Sequence, residues 1–475
     1  MAFTENGAVT YSSTGSHCLD LFSTIGGLRN ADEQEIAARF IRAYTENPHR
    51  AMKLLFFARD VRGGLGERRA FRVIIRWLAV YKPESVIKNL EHFAEYGRYD
   101  DLLALFGTPC ENEMLEYIAK LFSADMKLLN AGENVSLLAK WLPSVNASSK
   151  ETVKQANRLA KALGLSNAAY RKALSALRRK ICIIENNLRE KDYTFEYENQ
   201  PSKAMLKYQK AFIRNDSERY GKFLFDVSKG KRRLNAGNIA PYELVNTYLK
   251  ASDKKAIENS INTAWESLPD FGGNENAIAI VDTSGSMYCG GNPMPASVAI
   301  SLGIYFGERN KGAFGGSFIE FSEKPQLIRI KGETFVDKLN YICSFNEVAN
   351  TNLEAVFDLI LNTAIKNKLK QESLPSKLII ISDMEFDWCV ENSSLTNFEN
   401  AREKFQRNGY KLPQIVFWNV SSRNNQQPVT QNEQGVALVS GTTPRLFQMV
   451  ADGSLSPYKL MLEVLESERY SLIAA

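Results

Sequence analysis

Histidine is nearly missing from this 475-residue chain, with only His17, His49 and His92, all near its start. The remainder therefore has no imidazole for a Ser-His-Asp triad or a histidine-bound zinc. The six cysteines, at 18, 110, 182, 289, 343 and 389, include no CxxC pair, which excludes a zinc ribbon or thioredoxin-type site. They read as reduced, mostly buried thiols of a cytoplasmic protein. No apolar run reaches the roughly 18 residues that a membrane-spanning helix needs. The opening MAFTENGAVTYSSTGSHCLDLF has neither a basic stretch nor a continuous apolar core, so it is not read as a secretory signal.

With 44% hydrophobic and 24% charged residues, the composition is that of a globular protein. Its length favours two or three domains over one core. The net charge of +5 hides an asymmetry. After residue 272 there are 18 basic against 22 acidic side chains, a net of −4; before it, 41 against 32, a net of +9. Residues 150–250 alone hold 22 against 10, a net of +12. Such a segment is either a polyanion-binding part or a set of lysine-rich helices with solvated faces.

The first 250 residues read as helix after helix. Phe71, Ile74, Ile75 and Leu78 fall at i, i+3, i+4, i+7, and Leu115, Ile118 and Phe122 repeat the pattern. Short breaks at 47–50, 62–67, 82–83, 107–109 and 142–144 separate the helices. Amphipathic helices joined by short turns suit a helical-repeat array of HEAT-like type. Pro201 and Pro241 look like early-helix prolines. The Gly-, Pro- and Asn-rich stretch 267–276 is the best linker, giving a helical domain at 1–270 and a second at 271–475.

Beyond the linker the rhythm changes. Apolar strands are expected at 277–281, 317–321, 326–330, 377–382, 414–420 and 436–440, the second and third as a hairpin. Helices near 295–308, 334–343 and 352–369 lie between them. Apolar strands alternating with helices predict a parallel, Rossmann-like sheet covered on both faces, with ligands at the strands' carboxyl ends.

DTSGSM at 282–287 follows the first of these strands directly. Asp282, Ser284 and Ser286 offer one carboxylate and two hydroxyls in a turn that Gly285 makes possible. Thr351 precedes a helix, and Asp383 ends another strand. Hard oxygen donors of this kind suit Mg²⁺ or Mn²⁺. The bland alternative is a set of ordinary helix-capping residues at strand–helix turns. Glu385 and Asp387 share the Asp383 loop and are expected to be solvated. Ser284 and Ser286 have no adjacent base and no carboxylate pair is placed for acid–base work, so no enzymatic activity is expected.

These three loops, in this order, resemble the metal-ion-dependent adhesion site of the von Willebrand A fold. The resemblance implies that Ser284, Ser286 and Thr351 hold a divalent ion, with Asp282 and Asp383 acting largely through water. It leaves one position for an acidic group of a protein partner. Further upstream, FARDVRGGLGERRAFRVIIRWLA, YGRYDDLLAL at 96–105 and YENQPSKAMLKYQKAFIRND resemble the helical part of an uncharacterised family similar to the Ro autoantigen, or TROVE-module, proteins. That likeness implies a helical-repeat part that binds noncoding or misfolded RNA beside a von Willebrand A domain.

The residues offer partial support. Lys203, Lys207, Lys210 and Arg214 alternate with Tyr208 and Phe212, a mixture able to neutralise phosphates and stack bases; the two aromatics equally suit a core. Arg178, Arg179 and Lys180, then Lys229, Lys231, Arg232 and Arg233, add charge. RGGLGERR at 62–69 lacks the G-K-[ST] of a nucleotide loop and reads as an interhelical turn, with Arg62, Arg68 and Arg69 at its edge able to face phosphates. The competing expectation is a metal-dependent protein-interaction module that binds no RNA.

Overall fold

The computed structural model describes residues 2–181, 183–271, 276–289, 291–321, 324–344, 352–387, 395–451 and 455–475. The chain is a mixed α/β protein, helical first and with a parallel-rich sheet afterwards. Among the described residues no helix is long and apolar enough to cross a membrane.

Six strands form one sheet: β1 (Ala277–Asp282), β2 (Ser317–Phe321), β3 (Gln326–Arg329), β4 (Lys377–Ser382), β5 (Gln414–Asn419) and β6 (Val436–Ser440). Their order is β3-β2-β1-β4-β5-β6, with only β3 antiparallel to its neighbour. Every residue of β1 and β4 is buried, as expected of strands covered on both faces and free to be apolar throughout. Alternation along the strands sorts their side chains. Ile278, Ile280, Leu378, Ile380, Ile415, Phe417 and Leu438 share a core with Val356, Phe357 and Leu361 of helix Leu353–Lys366 and Phe405 of helix Asn397–Arg407. On the other face lies the almost wholly buried helix Pro295–Arg309, whose Phe306 packs on Trp418 at 5.6 Å and Phe447 at 4.9 Å.

The chain forms two compact units that do not follow the division expected at 270/271. One comprises Met1–Leu54, Gly63–Leu65 and Tyr197–Glu468; the other comprises Leu55–Arg62, Gly66–Glu196 and Arg469–Ala475. The physical reason lies at both ends of the sequence. Thr4 donates to the Phe386 carbonyl at 2.6 Å, Ala8 joins the sheet's core, and Tyr11 exchanges backbone hydrogen bonds with Gln427. The opening segment therefore belongs with the sheet. The last residues belong with helices of the second unit: Arg469 Nε donates to Asp60 at 2.5 Å and Tyr470 stacks on Tyr96 at 5.7 Å.

The second unit is organised around a buried ionic network. Asp101 is fully buried and accepts from Arg59 Nε and Arg72 Nε, each at 2.7 Å, and from the Arg98 backbone at 3.1 Å. The 96–105 stretch thus owes its Arg and Asp residues to structure. Pro241 begins helix Pro241–Leu249 as expected, while Pro201 stands one residue before helix Ser202–Asn215, at its N-cap position.

Candidate metal centre and nucleic-acid interface

Strand order reverses between β1 and β4, because β1 leads to β2 on one side and β4 to β5 on the other. Side chains at the carboxyl ends of such a pair border a crevice that backbone hydrogen bonding cannot fill. Asp282 ends β1 and Asp383 directly follows β4; both are buried. One Asp282 oxygen accepts from the Ser382 hydroxyl at 2.5 Å, the other from the Ser284 backbone at 2.9 Å. Burial, reinforced by the Asp383 carboxylate, nevertheless pushes Asp282 up to about 7.

Ser284 and Ser286 place their hydroxyl oxygens 3.1 Å apart. Ser284 occupies the cap position of the short helix Gly285–Tyr288, yet its side chain makes no capping hydrogen bond. Its hydroxyl faces that of Ser286. The carboxylates do keep local turn bonds, as the Glu385 backbone donates to Asp383 at 3.3 Å. Thr351 lies outside the described residues; the helix after it, Leu353–Lys366, is capped by the Asn352 side chain. Among the described residues no group of three or more His, Cys, Asp or Glu is arranged to hold a metal, so a cation here depends on hydroxyls as well as carboxylates.

Two features were not anticipated. Arg423, on the loop after β5, sets one guanidinium nitrogen 3.0 Å from Asp383 and another 2.8 Å from Glu5. Glu385, expected to be solvated, is buried: it accepts from the Glu5 backbone at 2.8 Å, from Asn424 at 2.9 Å and from Gln426 at 2.5 Å. Desolvation of its carboxylate is offset by these donors. Asp387 stays half-exposed and bridges to Gly7 through its backbone. No local pattern could have revealed Arg423, which is forty residues from its carboxylate partner. The cysteines differ from expectation too: Cys18 and Cys110 are buried, but Cys289 and Cys343 are exposed, while Cys182 and Cys389 lie outside the described residues.

The basic candidates divide between the units. In the first, helix Ser202–Asn215 buries Met205, Gln209 and Phe212 and exposes Lys203, Lys207, Lys210 and Arg214. Spacings of four, three and four residues align these cations along one face. The helix contains no acidic residue; Lys203 meets Glu243 from another helix. Phe212 is core, edge-on to Tyr197 at 5.1 Å. Tyr208 is half-buried, with the Lys207 ammonium 4.7 Å from its ring. Lys229, Lys231, Arg232 and Arg233 are exposed around the turn ending the next helix.

In the second unit, Arg178 donates to the Ala139 and Leu142 carbonyls at 2.8 and 2.7 Å, and Lys180 to that of Gly132 at 2.6 Å. Burial pushes the Arg178 guanidinium down. These two groups hold backbone turns, leaving Arg179 as the exposed member of the trio. Residues 62–67 form the expected interhelical turn. Arg62 pairs with Glu95 at 2.8 Å, Arg68 lies 3.9 Å from Asp100, and Arg69 is exposed.

The model of one Domain of unknown function (DUF2828) matches residues 4–116 and 147–270, and that of another (DUF7788) matches 276–466. The matches meet at the Gly-, Pro- and Asn-rich stretch 267–276. The chain is 31% identical over 505 residues to the uncharacterized protein L728 of Acanthamoeba polyphaga mimivirus, an alignment spanning 98% of this chain and 87% of that protein. The crystal structure of the Deinococcus radiodurans RO (RSR) protein aligns with 92% of this chain and 99% of its own at 13% identity. Its TM-score of 0.43 is too low for the likeness to speak for fold or function.

Proposed function

The chain belongs to one family with the mimivirus L728 protein, and from that premise we propose that it is a non-enzymatic RNA-binding protein of Ro type. In this reading a HEAT-like, TROVE-like helical part binds noncoding or misfolded RNA, and the sheet is a von Willebrand A-type domain that takes Mg²⁺ or Mn²⁺. The observation that carries it is the helix Ser202–Asn215, whose exposed face bears Lys203, Lys207, Lys210 and Arg214 with no acid in the helix. Solvated helix faces ordinarily mix the two signs. A single-sign face followed by a basic turn has the electrostatic form of a phosphate-binding surface.

The donor set at the sheet's edge fits a hard divalent ion: buried Asp282 and Asp383, and the paired hydroxyls of Ser284 and Ser286, with Thr351 added by resemblance. Such an ion would stabilise the charged form of Asp282, which burial and, second, the Asp383 carboxylate disfavour, and leave a position for an acidic protein ligand. Ser382 and the Ser284 backbone orient the Asp282 carboxylate, and Arg423 does the same for Asp383.

Binding of a labelled structured RNA with a single-stranded tail, over a salt series with Mg²⁺ and with EDTA, tests the reading. Tight binding that weakens with salt and survives EDTA is expected, since phosphate contacts release counterions. No binding at low salt overturns it and leaves the metal-dependent protein-interaction module as the better account. Calorimetry with Mn²⁺ tests the ion separately: heat from the wild type and none from Asp282→Ala is expected, and equal heats would show the site to be misassigned.

A further inference from the structure

Large exposed apolar side chains are unremarkable singly, but one stands among cations. Phe225, on helix Ser217–Ser228, is 57% exposed, while the same helix buries Tyr220, Phe223 and Leu224, the first two in the aromatic cluster around Tyr197. The helix therefore has its full core contact without Phe225. Lys222 and Lys229, three residues before and four after, share its face and are exposed. The Lys229 ammonium lies 5.5 Å from the Phe225 ring centroid. Gly230, at φ +68°, ends the helix. The Asp226 carbonyl accepts from the Lys231 backbone at 2.9 Å, fixing a turn that presents Lys231 and Arg233 to solvent.

We propose that Phe225 is a stacking platform for an unpaired RNA base, flanked by Lys222, Lys229, Lys231 and Arg233 as phosphate contacts. The assignment rests on the RNA-binding reading and refines it: the occupant is a single strand. A base in a duplex has both faces covered by its neighbours, and only an unstacked one can lie on an aromatic ring. Two properties of the patch support this occupant. Its cations match phosphate, and its one apolar group is a planar ring, which matches a base face better than an aliphatic partner. Residues 217–233 carry six basic and two acidic side chains, Glu218 and Asp226, so an acidic protein would find the charge but gain little from a lone ring.

The test compares full-length wild type with Phe225→Ala, Phe225→Leu and Phe225→Trp for binding of a labelled oligoadenylate. Because the ring is exposed, all variants should melt like the wild type. Loss of one stacked base corresponds to a drop in affinity on the order of ten-fold. Alanine and leucine should both show it, tryptophan should not, and the slope of affinity against salt should stay unchanged because stacking releases no counterions. Lys229→Ala should instead make that slope shallower. Wild type that binds, with all three Phe225 variants binding equally, overturns the platform and leaves RNA binding standing. So does polyphosphate, which has charge but no bases, competing fully while Phe225→Ala costs nothing. A wild type that binds no RNA at any salt removes the functional reading beneath it.

Discussion

Replacing Asp101 by alanine perturbs the second unit at its most heavily bonded carboxylate. Asp101 is fully buried and Arg59 is 1% exposed. Two nitrogens of the Arg59 guanidinium lie 2.7 Å from one Asp101 oxygen, and Arg72 Nε lies 2.7 Å from the other. The two arginines are not equally dependent on it. Arg72 keeps Asp100 at 2.8 Å and is a quarter exposed, so it retains a counter-charge and some water. Arg59 is buried and its guanidinium meets Asp101, so most of the penalty falls there. Leaving a buried charge without its partner costs roughly 3–5 kcal/mol. That is a large share of the about 5–15 kcal/mol by which a domain is stable. With a urea sensitivity of about 2 kcal/mol per molar, the unfolding midpoint should fall by about 2 M. Circular dichroism in urea, with protease mapping to assign transitions to units, measures it. Only the transition of the second unit should move. Asp101→Leu combined with Arg59→Met should recover most of the loss, because removing both charges leaves neither one stranded. A change below about 1 kcal/mol, the size of an exposed ion pair, would refute the reasoning.

Other consequences follow from particular contacts. Gly97→Ala would put a Cβ 2.4 Å from an Asp101 oxygen and 2.7 Å from Arg59 Nε; it should destabilise the same unit by about 1–3 kcal/mol, seen as a lower urea midpoint. Arg178→Ala should cost about 1–3 kcal/mol by stranding the Ala139 and Leu142 carbonyls, without altering RNA affinity, which titration of RNA into the folded variant would show. Burial pushes the Cys18 thiol up to about 12 and Cys110 to about 11. Near pH 8 both should therefore resist alkylation in the native protein while exposed Cys289 reacts, as peptide mass mapping before and after denaturation would reveal.

Much of the sheet was legible because its strands are covered on both faces. AIAIV, KLIIIS and VALVS could be apolar at every position, and short apolar runs between helices leave few other readings. The hairpin of β2 and β3 and the helices Pro295–Arg309 and Leu353–Lys366 also sit where periodicity and turn residues put them. The positions of Asp282 and Asp383 follow from the strands themselves: Asp282 ends β1, Asp383 directly follows β4, and those two strands pair side by side.

Other features depended on long-range partners that carry no local pattern. The opening residues pair two at a time, Ala2 with Thr10 and Phe3 with Val9, too briefly for a period of two to show. Glu385 sits in a loop sequence that looks solvated, and only Glu5, Asn424 and Gln426 make its burial tolerable. Arg178 and Arg179 are indistinguishable as letters; helix rotation sends one to backbone carbonyls and the other to water. Conversely, the exposure of Lys203, Lys207, Lys210 and Arg214 follows directly from their spacing against Met205, Gln209 and Phe212.

The salt dependence of RNA binding, measured for the wild type and for one variant carrying Lys203→Gln, Lys207→Gln, Lys210→Gln and Arg214→Gln, tests the RNA-binding claim most directly. Each contact to a single-strand phosphate contributes about 0.7 to the slope of log affinity against log salt. Four lost contacts should make the slope shallower by about 3 and weaken binding at low salt, with the melting temperature unchanged because all four side chains are exposed. A variant with the wild-type slope and affinity would contradict the account, placing any RNA elsewhere and reducing this helix face to solvated surface.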